Sequence, residues 1–299
     1  MNIGVECYPC FIKQSLEALE MLSLDKQTQT TILKRVLHHL STIEPQHYSP
    51  PELSREIHDI IRTLAHSDDP YAQVKDTSNT MAEHHYAQLK TLVQEAEDPL
   101  LLAIKLAIVG NVIDFGTSTR FSVEDKIHDA LHRDFDATAY PRFVDALQAA
   151  HTILYLADNA GEIYFDKLLL EELHCMNKDI IYVVKANPII NDATMEDVHR
   201  ARLDDLVTVI EGDKGQSISA PGISLSLASE EFKKYFTSAD MVIAKGQGNF
   251  ESLSQVDREI FFLLMVKCPL VADEIGIELG KLVLKVINEG KHHETRALH

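Results

Sequence analysis

Three short segments in the second half of the chain combine carboxylates, carboxamides and lysines with the glycines or proline of tight loops. They are Asp158-Asn159-Ala160-Gly161-Glu162, Lys185-Ala186-Asn187-Pro188 followed by Asn191-Asp192, and Lys245-Gly246-Gln247-Gly248-Asn249-Phe250-Glu251. Asp158, Asn159 and Asp192 offer only oxygen ligands, which Mg²⁺ and Mn²⁺ prefer and which Co²⁺ and Ni²⁺ tolerate. The sequence therefore predicts a divalent-metal site at these three residues, where a bound metal could activate a water molecule.

The same segments predict a phosphate pocket beside the metal. Lysines could hold phosphate oxygens as point charges, and glycines let backbone amides approach an anion closely. The residues expected to act in catalysis are Asp158, Asn159, Asp192 and Lys245. The residues expected to contact the substrate are Glu162, Lys185, Asn187, Gly246, Gly248 and Asn249. Each segment taken alone also reads as a plain loop or helix N-cap, and the segment at Lys245 is not a Walker A motif.

The chemistry-bearing segments follow short apolar runs that are typical of buried parallel strands. These runs lie at residues 152–157, 179–185, 206–210, 240–244 and 261–266, with helical stretches near 162–174, 192–202 and 228–237. The alternation predicts a doubly wound, mostly parallel α/β/α sheet, in which ligands bind beyond the carboxyl ends of the strands. Earlier residues show helical periodicity and no strand-like alternation. We therefore predict a helical lobe at residues 1–148 and an α/β/α core at residues 149–299.

The composition of the chain excludes some classes of binding partner. The chain has 299 residues and a formal net charge of −18, which disfavours generic nucleic-acid binding because such proteins present a basic face. The sequence contains no uninterrupted run of 18 apolar residues, so we predict no membrane span. Its start lacks the basic and apolar regions that are typical of a signal peptide. We expect a cytoplasmic protein whose partner is a small phosphorylated metabolite. The sequence indicates no oligomeric state.

Taken together and in order, the three segments resemble the damage-control phosphatase family, also called domain of unknown function 89. Glu6-Cys7-Tyr8-Pro9-Cys10 is similar to its prokaryotic branch, which carries a CxxC near the N-terminus. Gly110-Asn111-Val112-Ile113-Asp114 and Lys267-Cys268-Pro269 are also similar to that branch, so the matches run from residue 6 to about residue 273.

The resemblance implies a metal-dependent phosphatase with an α/β/α core and an added helical region. It implies that Asp158, Asn159 and Asp192 bind a divalent metal and that Lys245 contacts phosphate. The implied substrates are damaged or surplus phosphometabolites, such as sugar phosphates or phosphopantetheine derivatives. The eukaryotic branches have Asp after Lys-Gly and an Arg where this chain has Gln247 and Glu251, so their substrate preferences do not transfer to it.

Three cysteines leave several interpretations open. Cys7 and Cys10 have the spacing of ligands for zinc or another thiophilic metal, with Cys268 as a candidate third ligand. The same pair could be a redox-sensitive dithiol. It could equally be two small buried residues at a helix start.

The predicted function is that of a metal-dependent phosphomonoesterase. Its mechanism would be in-line attack on phosphorus. One of the carboxylates would orient or deprotonate the attacking water, or Asp158 would itself be the nucleophile. Two alternatives use the same pocket. One is a non-catalytic protein that senses a phosphometabolite. The other is a nucleotide-cofactor-dependent methyltransferase, which the absence of a glycine-rich fingerprint in the first βα turn argues against.

Overall fold

A seven-stranded sheet lies at the centre of the chain. The computed structural model describes residues 1–110, 127–129, 131–215 and 218–288. In the described part the sheet order is β1-β7-β6-β5-β2-β3-β4, and every neighbouring pair is parallel except β6 and β7. The strands are β1 (Phe135–Asp136), β2 (Thr152–Leu156), β3 (Asp179–Val184), β4 (Thr208–Glu211), β5 (Met241–Lys245), β6 (Ile260–Met265) and β7 (Leu282–Ile287).

The mostly parallel α/β/α fold predicted from the sequence is confirmed. The five predicted strands are β2 to β6, and their observed ends differ from the predicted ones by at most two residues. Two further strands were not predicted. β1 lies in the half expected to be helical, and its two residues are too few to show alternation. β7 pairs antiparallel with β6, which a reading based on βαβ units does not anticipate.

Helices cover both faces of the sheet. The helices of the described part are α1 (Cys7–Met21), α2 (Lys26–Leu40), α3 (Pro50–Ala65), α4 (Ala72–Gln94), α5 (Pro99–Gly110), α6 (Tyr140–Ala149), α7 (Ile163–Cys175), α8 (Met195–Ala201), α9 (Glu230–Ser238), α10 (Gly246–Leu253) and α11 (Pro269–Ile275). One apolar core joins α4 to α8 with the face of the sheet that carries Tyr155 and Ile243. Another joins α9, α10 and α11 with the face that carries Leu154 and Val242. Successive strand residues therefore point into different cores, as a sheet buried on both faces requires.

The three N-terminal helices have an apolar core of their own. Leu19 of α1, Val36 of α2 and Ile57 of α3 are buried together in it. Helix α3 begins at Pro50, where Ser49 and Glu52 form a capping box and proline occupies the first turn. Helices α4 to α6, by contrast, belong to the layer on one face of the sheet. The boundary between residues 148 and 149 stays a prediction.

Helices long and apolar enough to cross a bilayer do not occur among the described residues.

Candidate functional site

The predicted site residues gather at one edge of the sheet. Strands β6, β5, β2 and β3 are consecutive neighbours, so the loops at their carboxyl ends lie side by side. A cavity of about 270 Å³ is lined by these loops together with the starts of α1 and α3. The cavity is lined by both Asp158 and Asp192, together with Asn159. The structure thus brings the three predicted metal ligands to a common space.

Backbone hydrogen bonds hold these ligands next to each other. The amide of Ala160 donates to the carbonyl of Asn191 over 2.8 Å, and the amide of Ala193 donates to the carbonyl of Asp158 over 2.8 Å. The loop after β2 and the loop after β3 therefore pair like a short antiparallel ladder. This pairing fixes the separation of the ligands through the backbone, which is stiffer than side-chain contacts alone.

The two carboxylates are held in an environment that opposes their charge. Burial, followed by the neighbouring Glu162, raises the pKa of Asp158 to about 7. Burial also raises the pKa of Asp192 well above its usual value, although Lys185 Nζ lies 3.6 Å from Asp192 Oδ2. Within the described residues, Asp192 Oδ2 accepts no hydrogen bond. Two neighbouring carboxylates whose pKa values are raised by burial would be stabilised in their charged form by a further cation.

The donor set fits a hard divalent cation. Asp158 and Asp192 supply carboxylate oxygens, and Asn159 can supply a carboxamide oxygen. The described parts of the chain contain no group of three His, Cys, Asp or Glu side chains arranged to hold a metal. A metal at this position would therefore need the carboxamide of Asn159 and water molecules besides the two carboxylates. Metal binding by these three residues stays a prediction.

Glu162 orients the carboxamide of Asn159. Asn159 Nδ2 donates to Glu162 Oε2 over 3.0 Å and to Asp158 Oδ2 over 2.9 Å. Because the amide nitrogen is bonded to these two carboxylates, the amide oxygen is turned away from them. Glu162 is itself buried and accepts a hydrogen bond from Lys245. Direct contact of Glu162 with substrate stays a prediction.

Lys245 lies beneath the cavity rather than in its wall. Its ammonium group is fully buried and donates to Glu162 Oε1 and, over 2.7 Å, to Asp166 Oδ1. The hydroxyls of Tyr155 and Tyr182 donate to the same Asp166 carboxylate over 2.7 and 2.8 Å. The structure thus gives Lys245 two carboxylate partners, and its predicted contact with phosphate stays a prediction.

Gly246 and Gly248 let the loop after β5 pack closely against its neighbours. Gly246 has φ +78°, and a Cβ atom there would come 2.0 Å from Asp158 Oδ2. A Cβ atom at Gly248 would come 2.2 Å from the carbonyl oxygen of Pro221. Gly248 lines the cavity, whereas Gly246 supports the Asp158 carboxylate from behind.

The cavity is not lined by Asn249, Lys185 or Asn187, three residues that were predicted to contact the substrate. Asn249 Nδ2 donates to the backbone carbonyls of Ala157 and Lys245 over 3.0 and 2.8 Å, so its amide braces the strand ends. Lys185 is buried beside Asp192. The amide of Asn187 donates to a neighbouring serine hydroxyl, and its Nδ2 has no hydrogen-bond partner among the described residues. The predicted substrate contacts of all three residues remain untested.

Three residues that sequence reasoning did not assign also line the cavity, namely Lys267, Gln247 and Glu251. Lys267 is exposed, and of the three lysines that lower the pKa of Asp158 it has the largest effect. Gln247 Oε1 accepts from the amide of Lys267 over 3.1 Å, and its Nε2 donates to Glu251 Oε1 over 2.7 Å. Lys267 follows β6, so the strand-end rule that selected the other segments also applies to it.

The three cysteines of interest border the same cavity. Cys7 and Cys10 lie in the first turn of α1, and Cys268 is the N-cap residue of α11. Burial raises the pKa of each of these thiols, so they are protonated near neutral pH. Their predicted metal or redox role stays a prediction. Asn111, Val112, Ile113 and Asp114 lie outside the described residues.

Comparison with known proteins identifies relatives over most of the chain. The family model described as the damage-control phosphatase ARMT1-like domain matches residues 3–283. A damage-control phosphatase of Pyrococcus horikoshii is 36% identical over 292 residues, covering 95% of this chain and 97% of the relative. A damage-control phosphatase of Archaeoglobus fulgidus is 31% identical and covers 96% of this chain and all of the relative. An uncharacterized protein of Methanocaldococcus jannaschii is 35% identical over 95% of each chain.

Structural similarity agrees with these relationships. The crystal structure of a DUF89 family protein from Pyrococcus horikoshii superposes with a TM-score of 0.86 and 34% identity, covering 95% of this chain and 98% of that one. The names of the Pyrococcus and Archaeoglobus relatives support a phosphatase role for this chain as well. The chain belongs to the damage-control phosphatase family that the ARMT1-like domain defines.

Proposed function

We propose that this chain is a metal-dependent phosphomonoesterase that hydrolyses small phosphometabolites, such as sugar phosphates or phosphopantetheine-like compounds. The observation that carries the proposal is the pair of carboxylates on the wall of a cavity of about 270 Å³, namely the half-buried Asp158 and the buried Asp192. The relatives named damage-control phosphatases support the reaction class. Sequence resemblance supports the substrate class.

Asp158, Asn159 and Asp192 are the residues that would hold the metal, which we expect to be Mg²⁺, Mn²⁺, Co²⁺ or Ni²⁺. A divalent metal held there would lower the pKa of a water molecule and neutralise phosphoryl charge. The protein holds the three ligand side chains in position before the metal binds. Loop pairing fixes the ligand spacing, and Glu162 turns the carboxamide of Asn159. The carboxylate of Asp158 stands against Gly246, so its orientation is restricted.

Lys267 is the residue best placed to bind the phosphoryl group. It lines the cavity, acts electrostatically on Asp158 and is exposed to solvent, so a substrate can reach its ammonium group. The backbone amide of Gly248, a residue that lines the cavity, would add a donor. Together these groups would stabilise the charge that develops on the transferring phosphoryl group. Lys245 acts indirectly, because it holds Glu162 and thereby Asn159.

The test is hydrolysis of p-nitrophenyl phosphate by metal-stripped protein, with each divalent metal restored separately. We expect metal-restored turnover that Asp158→Asn and Asp192→Asn each lower by at least about 100-fold. Asp145→Asn is a matched control, because Asp145 is exposed on α6 and lies outside the cavity. Turnover that needs no metal, or that survives both site substitutions in folded protein, would overturn the proposal.

A further inference from the structure

The cavity carries an excess of negative charge on its own side chains. The ionisable acids in its wall are Asp158, Asp192, Glu6 and Glu251. Among the residues that the structure describes, Lys267 is the one lysine or arginine in that wall. A substrate must therefore enter a space in which carboxylates outnumber cations.

The charged groups that would contact the metal and the phosphoryl group have partners of their own. Asp192 faces the buried Lys185, and the proposed metal would neutralise Asp158 and Asp192 further. Lys267 would be engaged by the phosphoryl oxygens. Glu251 and Glu6 then remain as carboxylates that face the rest of the ligand.

Glu251 is the stronger of these two determinants. Its Oε1 accepts from the neutral amide of Gln247 over 2.7 Å. Burial raises its pKa to about 7, although the hydrogen bond from Gln247 and the N-terminal amine of Met1 act in the opposite direction. The three cysteines nearby are neutral thiols near pH 7. The N-terminal amine of Met1 donates to the backbone carbonyl of Glu251 over 2.8 Å. Burial lowers the pKa of this amine below its usual value near 8, so at pH 8 it is mostly neutral and does not cancel the Glu251 charge. Glu6 is exposed at the rim, so its influence is weaker.

We propose that Glu251, assisted by Glu6, selects phosphate monoesters whose organic part is neutral or carries an amine, and rejects those with a second anionic group. This inference rests on the proposed function. It follows because a second phosphate or a carboxylate would have to lie close to Glu251, inside a cavity of only about 270 Å³. Like charges at such a separation repel strongly in a desolvated site.

The experiment compares substrates that differ in charge but little in shape, at pH 8 with the activating metal. Sorbitol 6-phosphate and 6-phosphogluconate are the open-chain pair, and glucose 6-phosphate and glucosamine 6-phosphate are the ring pair. Each compound is measured as a substrate and as a competitive inhibitor of p-nitrophenyl phosphate hydrolysis. We expect 6-phosphogluconate to be at least about tenfold poorer than sorbitol 6-phosphate, and glucosamine 6-phosphate to equal or exceed glucose 6-phosphate.

Three variants separate the local charge from the net charge of −18. Glu251→Gln should reduce the open-chain discrimination to about threefold or less, and Glu6→Gln should reduce it by a smaller amount. Glu20→Gln removes the same charge from an exposed position on α1 outside the cavity, and should leave the discrimination unchanged. The wild-type ratio should also persist at 0.5 M salt, because partly buried charges are screened weakly.

The outcomes distinguish the two proposals. Turnover of p-nitrophenyl phosphate combined with equal use of 6-phosphogluconate and sorbitol 6-phosphate would overturn the charge selection and leave the phosphatase assignment intact. Discrimination that Glu251→Gln and Glu6→Gln both leave unchanged would also overturn it. Absence of turnover with every metal would overturn the phosphatase assignment and this inference with it. Should Glu251→Gln fail to fold, Glu6→Gln decides by the same ratio.

Discussion

Lys245 Nζ lies 2.7 Å from Asp166 Oδ1, and neither side chain is exposed to solvent. Attraction from Asp166 and Glu162 outweighs the effect of burial and raises the pKa of Lys245, so the lysine is charged in the folded state. The two tyrosine hydroxyls on Asp166 complete its hydrogen bonding. A charged network therefore runs through the core to the residue that orients Asn159.

The first prediction concerns the stability that this network provides. Lys245→Met leaves Glu162 and Asp166 buried without their cation, so we expect the free energy of unfolding to fall by about 3–5 kcal/mol. Urea denaturation at pH 7 measures it. Lys267→Met is the comparison, because Lys267 is exposed, and we expect a change within about 0.5 kcal/mol. A Lys245→Met protein as stable as the wild type would contradict the burial argument.

The second prediction concerns the lysine that faces the cavity. Lys267→Met removes a cation from the proposed phosphoryl subsite, so we expect kcat/KM for p-nitrophenyl phosphate to fall by about 100-fold with little loss of stability. Lys267→Arg keeps the charge and should recover part of the activity. Lys13→Met, at an exposed position of α1, is the control for general charge removal. Full activity in Lys267→Met would exclude a role in phosphate binding.

The third prediction uses two glycines with nearly the same backbone conformation. Gly246 has φ +78° and Gly276 has φ +76°, so alanine at either position carries a similar backbone cost of about 1 kcal/mol. Only at Gly246 would the new Cβ meet Asp158, whereas it meets nothing within 4 Å at Gly276. We expect Gly246→Ala to lower kcat at least about tenfold and Gly276→Ala to leave kcat unchanged. Equal kinetics in the two variants would show that Asp158 can move away without loss.

Much of the site was predictable because the strands that carry it are short buried apolar runs. Each run ends where polar residues begin, and parallel topology brings those ends together. Lys267 follows β6 just as Asp158 follows β2, so the same strand-end rule also selects Lys267. The face of the sheet to which the Lys245 side chain points could also be predicted from the sequence. Residues two apart in a strand share a face, so Lys245 points to the side of Ile243 rather than towards Ala244.

Other features depend on contacts between distant segments, and no local pattern specifies them. Asn79 of α4 accepts from the amide of Gly161 over 2.7 Å, which joins the turn after β2 to a helix 82 residues earlier. Its Nδ2 donates to Asp197 of α8 over 2.7 Å. An asparagine inside an amphipathic helix gives no sign of such partners. The sequence likewise does not reveal that α1 and α3 line the cavity, because the packing of helices against the end of a sheet is determined by the whole fold.

The last prediction concerns acid sensitivity, which arises in the core of the N-terminal helices. His58 of α3 is 2% exposed, and its Nε2 has no hydrogen-bond partner among the described residues. Burial, followed by the charge of Arg62, lowers the pKa of His58 to about 4. An unfolded histidine has a pKa near 6.5, so the unfolded chain binds more protons than the folded one between these values. The contribution of His58 to stability is thus constant above about pH 6.5 and falls as the pH decreases towards 4.

That difference in pKa corresponds to about 3 kcal/mol of stability lost by pH 4. His58→Phe keeps a ring at this position and removes the titration, so we expect a smaller decrease in the free energy of unfolding between pH 7 and pH 4.5. His38 is exposed in the last turn of α2, and His38→Asn should therefore retain the wild-type pH dependence. Urea denaturation at four pH values measures how the free energy of unfolding changes with pH in the wild type and the two variants. If His58→Phe and the wild type lose stability in parallel, the acid sensitivity originates elsewhere, and the next group to substitute would be Asp136, whose pKa is lowered by hydrogen bonds from Thr138.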